Sequence, residues 1–289
     1  MTNALPAVAK RVKDTSFDGP EVALYLAITF GLCWSLAGLA IAFPAWITAA
    51  FGPVDNQSLL FYVAVRSPNI AALTLTTARG GLPALWGPLS RVVRWRAPIW
   101  VWVAALGFYP ALMLVVQLVG LALGHPLPGP GMWPAVAAGL ASLPLLTLGP
   151  LGEELGWRGY LLPCLLTRLS PITAALVVGA IWMVWHAPAF LLSGLPQNNM
   201  SIPVFAVGGI ALSVFITWLF VNARQSILVA GIIPHAIANA WGDATGPMTW
   251  INATVLVAGA VLQVIATGPS LSAFPPSYRT NEQQKGSRS

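Results

Sequence analysis

Charge is what this chain has least of. Only 8% of its 289 residues are Asp, Glu, Lys or Arg, and 57% are hydrophobic; a soluble domain is about a quarter charged. The apolar residues come in runs of about twenty, the length that crosses a hydrocarbon core of about 30 Å. The ten-residue alternation of a membrane β-barrel is missing. A soluble domain is therefore excluded, and the fold expected is an all-α polytopic membrane protein with about eight transmembrane helices. Cysteine is equally scarce. Cys33 and Cys164 fall in or beside apolar runs, so there is neither a disulfide framework nor a Cys-x-x-Cys metal site. The net charge of +6 would suit nucleic acid only if the basic residues shared a soluble face. They lie in tails and short loops, so the partner they imply is the lipid bilayer, with no nucleic acid.

Residues 1–20 form a polar tail with Lys10, Arg11 and Lys13, residues 21–267 a single transmembrane domain, and residues 268–289 a polar tail of disordered composition. Spans are expected at 22–43, 59–78, 98–123, 133–167, 172–192, 203–221, 226–241 and 249–267. Arg66 stands oddly inside the second. The 79–97 stretch, with four arginines, reads as a surface-lying amphipathic segment or a solvated loop. The fourth run is too long for one crossing. Pro144 and Pro150 predict a break near 149–152, followed by a fresh helical start. Lys and Arg occur in both tails, in 79–97, in 168–171 and at Arg224, whereas the loops at 52–58, 124–132, 193–202 and 242–248 contain none. That asymmetry predicts a bacterial plasma-membrane protein with both termini in the cytoplasm.

Against this background two acids stand out. Glu153 and Glu154 are the only acidic residues between Asp55 and Asp243, and an acid at the centre of a membrane helix costs roughly 2.5–3.5 kcal/mol. An ionisable residue there is by default a functional site. Of three histidines, His125 is a loop residue, while His186 and His235 lie inside apolar runs. Counted from the basic loops, Glu153, His186 and His235 lie roughly 14–21 Å deep at 1.5 Å per residue, a shared layer in the inner or middle membrane. Each helix also carries a partner at i+4 on the same face: Glu154 with Arg158, Trp182 with His186, and His235 with Asn239. Pro188 and Pro234 flank the histidines and loosen the backbone beside them.

A carboxylate and an imidazole sharing a water can take its proton as it attacks a carbonyl. A second imidazole and an amide can face the developing oxyanion. Glu153, His186 and His235 are also a zinc ligand set of the kind hydrolases use, so the residue types leave open a metal-bound or a metal-free water. Glu154 with Arg158 reads equally as a structural ion pair. The constellation as a whole also allows a proton-coupled transporter or a non-catalytic immunity or scaffold protein.

The ordered motifs E-E-x-x-x-R at 153–158, aromatic-x-x-x-H at 182–186 and H-x-x-x-N at 235–239 resemble the CPBP (or Abi) family. These are the CAAX prenyl protease and bacteriocin-processing intramembrane proteases, related to the Rce1-type endopeptidase. The resemblance covers about 145–245. It implies an intramembrane endopeptidase in which Glu153 and His186 activate water, His235 and Asn239 stabilise the oxyanion, and Glu154 and Arg158 support them. The substrate implied is a peptide or membrane protein cut near the cytoplasmic leaflet. Trp182 stands where the family usually has Phe, a conservative aromatic exchange.

Overall fold

The computed structural model describes residues 19–125, 131–141, 148–245 and 248–273. The expected tails (1–18 and 274–289), the loop residues 126–130 and Pro144 of the expected break lie outside the described residues. Among those described there are helices and no strands.

The helices are α1 (Gly19–Ala42), α2 (Pro44–Phe51), α3 (Leu59–Val65), α4 (Ser67–Ala84), α5 (Trp86–Val92), α6 (Ile99–Ala122) and α7 (Met132–Ala141), then α8 (Leu148–Gly156), α9 (Leu162–Leu166), α10 (Pro171–Trp185), α11 (Ile202–Asn222), α12 (Ile233–Thr245) and α13 (Trp250–Thr267). Local chemistry sets several starts. The Ser58 and Ser170 hydroxyls accept the backbone N–H groups of Phe61 and Thr173, and Thr249 with Asn252 closes a reciprocal cap on α13.

Five of the described helical stretches are long and apolar enough to cross a membrane: α1, α6, α10 with its extension to Leu191, α11 and α13. The pair α3–α4, bent by 52° at Arg66, makes a sixth. Each coincides with an expected span. The two remaining expected spans, the fourth and seventh, are instead built of short pieces. The break expected at 149–152 is not there: those residues lie inside α8, whose described part begins at Leu148, and a π-helical turn over Trp157–Leu161 separates α8 from α9. A second π turn, Leu228–Ile232, leads into α12. These two segmented stretches carry Glu153, Glu154 and His235.

The core lies among α4, α8, α10, α11 and the turns between them, and small residues let the backbones close in. Gly179 faces Ser213 and Ile210 across α10–α11, where the Ser213 hydroxyl donates to the Ala175 carbonyl at 2.9 Å. Gly156 is tighter still: a Cβ there would lie 2.5 Å from the Pro68 carbonyl carbon and 2.6 Å from its oxygen. Backbone cannot swing aside, so Gly156→Ala must push α8 off α4. We expect a loss of about 1–3 kcal/mol, read as a lower thermal midpoint in detergent, whereas alanine at Gly38, which has nothing within 4 Å, is neutral.

Candidate active site

Helix α8 brings both glutamates inward, Glu153 7% exposed and Glu154 0%. The two do different things. Glu154 Oε1 accepts Nη1–H of the fully buried Arg158 at 2.8 Å and the Nδ1–H of His235 at 2.9 Å. Glu153 Oε2 accepts the indole N–H of Trp182 at 2.7 Å. Trp182 is the hub of the group. Its ring meets His186 edge-on at 5.5 Å and His235 at 5.1 Å between centroids, and the Arg158 guanidinium lies 4.9 Å over its face.

The histidines are oriented by their Nδ1 atoms. His186 caps the end of α10, and its Nδ1 is 2.8 Å from the Trp182 carbonyl. A carbonyl only accepts, so Nδ1 carries the proton and Nε2 keeps its lone pair. His235 stands in the first turn of α12, directly after the π turn, with Nδ1 held by Glu154 and Nε2 left for other partners. Gly231, in that π turn, makes the approach to Glu154 tight: a Cβ on it would lie 2.6 Å from Glu154 Oε2.

Glu153, Trp182, His186, His235 and Asn239 all line one cavity of about 660 Å³. Glu154 and Arg158 stand behind its wall. Asn239 is exposed and so available to whatever enters. The zinc set that the residue types allow, Glu153 with His186 and His235, is not assembled. Among the described residues no three His, Cys, Asp or Glu side chains converge to hold a metal ion. One oxygen of Glu153 is taken by the indole and both Nδ1 atoms are engaged, which leaves the second oxygen of Glu153 and the two Nε2 atoms as the donors this set could offer.

Three features escape the sequence motifs. The first is Asn69, on α4. Its Nδ2–H donates to the Leu151 carbonyl at 2.6 Å and its Oδ1 accepts the Gly156 N–H at 2.9 Å, so one amide clamps the backbone of α8 on both sides of the glutamates. A lone amide in an apolar run was the available signal. The second is Arg66. It lines the cavity from the α3–α4 bend, with Nη1 donating to the Tyr62 carbonyl at 3.0 Å. The third is the Trp182 N–H, which phenylalanine could not supply, so the exchange at that position is not conservative.

The cavity lies toward one end of the bundle. The cavity is walled by Val54, Asn56, Leu195, Gln197 and Asn199, from the two loops that lack Lys and Arg. None of Arg79, Arg91, Arg94, Arg96, Arg168 and Arg224 lines it.

With this geometry the comparison with known proteins is direct. Residues 136–241 match the family model described as Type II CAAX prenyl endopeptidase Rce1-like. All three motifs fall inside that stretch. This part of the chain is similar to the Rce1-like family. A relative from Methanococcus maripaludis, CAAX prenyl protease 2, is 36% identical over 101 residues. That alignment spans 33% of this chain and 37% of the relative. The Rce1-like stretch thus runs from α7 to α12 and contains the glutamates, both cavity histidines and Asn239, while α1 to α6 and α13 lie outside it.

Proposed function

We propose that the protein is an intramembrane endopeptidase that hydrolyses a peptide bond with a water activated by Glu153 and His186. The observation that carries this reading is the shared cavity, in which an acid and two imidazoles meet around one indole and an amide lines the same space. The Rce1-like match over the same residues supports it.

Each group has work suited to its surroundings. The Trp182 N–H fixes one oxygen of Glu153, which leaves the other to accept a proton from water. The lone pair of His186 Nε2 shares that water, so its oxygen is aimed as it is deprotonated. Attack on the carbonyl carbon puts negative charge on the carbonyl oxygen, where His235 Nε2–H and the Asn239 amide donate. Donation from Nε2 while Nδ1–H is given to Glu154 requires the imidazolium form, whose charge faces the Glu154 carboxylate, and Arg158 holds Glu154 in place. When the C–N bond breaks, the proton held at the Glu153–His186 pair passes to the leaving amine.

The substrate is a peptide or a membrane-protein segment. Purified full-length protein, given a quenched-fluorescent peptide library, is expected to release fluorescence, and to do so equally after treatment with EDTA. Cleavage by a folded Glu153→Gln variant at the parent rate would end the reading, whereas a purely scaffolding or immunity role predicts that no variant changes a cleavage signal. Trp182→Phe tests the finer geometry. It keeps the ring stack but deletes a hydrogen bond to a charged group, a contact worth about 1.5–3 kcal/mol. Cleavage should fall roughly 10- to 100-fold with little change in the thermal midpoint.

A further inference from the structure

We propose that the cavity is loaded from the non-cytoplasmic side of the membrane, so that the peptide bond cut belongs to an exported peptide or to an extracytoplasmic segment of a membrane protein. This rests on the endopeptidase reading above and adds the side from which the substrate comes.

The bundle has two distinct ends. At one, Glu21 near the start of α1 pairs with Arg79 of α4 and accepts from the Tyr160 hydroxyl. Arg94 donates to the Arg224 carbonyl at 2.8 Å, and Ser226 donates to the Arg94 carbonyl. The turn before α10 and the end of α11 reach the same end through Ile172 N–H to the Pro269 carbonyl and Asn222 to the Leu271 carbonyl. These contacts gather the start of α1, the α5–α6 and α11–α12 connections and the end of α13, together with nearly every arginine of the membrane domain.

At the other end the loops 52–58 and 193–202 meet so closely that a Cβ on Gly194 would lie 2.0 Å from the Val54 carbonyl oxygen. They carry Asp55 and no Lys or Arg. The cavity belongs to this end, lined by Asn56, Gln197 and Asn199. Helix α10 gives the depth. Its 15 residues run from the arginine-rich end to His186, about 22 Å at 1.5 Å per residue, which is well past the middle of a hydrocarbon core of about 30 Å.

Short loops bearing Lys and Arg stay in the cytoplasm, and acids contribute little to that choice. The arginine-rich end is therefore cytoplasmic, and the polar rim of Asn56, Gln197 and Asn199 faces the other side. A peptide arriving there finds Arg66, Glu153 and His235 without crossing the bilayer, whereas a cytoplasmic segment would have to pass the packed arginine-rich end.

Sidedness can be read without any cleavage. In a chain with Cys33 and Cys164 replaced by alanine, Asn56→Cys, Asn199→Cys and Gly87→Cys are each introduced and expressed in cells converted to spheroplasts. Gly87 lies on α5 at the arginine-rich end, exposed and with nothing within 4 Å of a Cβ. A sulfonated, membrane-impermeant maleimide should label Asn56→Cys and Asn199→Cys at least 10-fold more than Gly87→Cys, and all three equally after detergent is added. The reverse pattern, with Gly87→Cys labelled in intact spheroplasts, overturns the proposal. The fluorogenic assay on the purified parent chain separates the two ideas. Cleavage in detergent with reversed labelling sinks the sidedness alone. Labelling as expected with no cleavage sinks the endopeptidase reading, and the claim about substrate with it.

Discussion

Glu153→Gln is expected to lower peptide cleavage by about 10²–10⁴-fold, the range that a positioned general base contributes, while the protein still folds. Glutamine is nearly isosteric, and its amide oxygen can accept the Trp182 N–H as Glu153 Oε2 does at 2.7 Å. What it cannot do is take a proton from water. The variant therefore separates chemistry from architecture: an unchanged thermal midpoint with activity near background identifies the carboxylate as the base. A loss below about tenfold would assign the proton to His186 instead. Among the described residues Glu153 is the one acid that lines the cavity. Glu154, its neighbour, faces away and is held by Arg158 and His235.

Arg158→Leu should produce the largest loss of stability, about 3–5 kcal/mol, because removing one member of a buried ion pair strands the other. Arg158 and Glu154 are both 0% exposed. Without the guanidinium, Glu154 Oε1 would keep the His235 contact alone, and Oε2 has no hydrogen-bond partner among the described residues. The cation over the face of Trp182 would be lost as well. Replacing both partners by leucine should recover much of that stability, since apolar groups of similar volume often serve as well as a buried pair. It should not recover cleavage, because His235 would then have nothing to orient its ring. Chemical denaturation of the parent, Arg158→Leu and the double variant, run beside the cleavage assay, reads both effects. A double variant as unstable as the single would mean that the pair is needed for packing and not for charge balance.

Much of the fold follows from hydropathy. The runs at 22–43, 98–123, 172–192, 203–221 and 249–267 each became a long apolar helix, and the 59–78 run a bent pair. The pairings also follow from spacing: Glu154 with Arg158 and Trp182 with His186 are in contact as i+4 neighbours. What escaped is what spacing does not encode. A π turn has nearly the same residue pattern as the α-helix around it, so neither Trp157–Leu161 nor Leu228–Ile232 was visible. The Asn69 clamp joins residues more than eighty positions apart.

The π turn at Leu228–Ile232 has a genetic consequence. It stores one residue beyond the regular helical repeat, so losing a single codon there would relax it into ordinary helix and leave the helix downstream in phase. A codon lost between His235 and Asn239, in the regular helix of α12, meets no such slack and would turn everything beyond it by about 100°, carrying Asn239 off the cavity although both residues would still be encoded. A silent copy of this protein could thus arise through an in-frame gap at 236–238, recognisable by its length and not by any missing side chain.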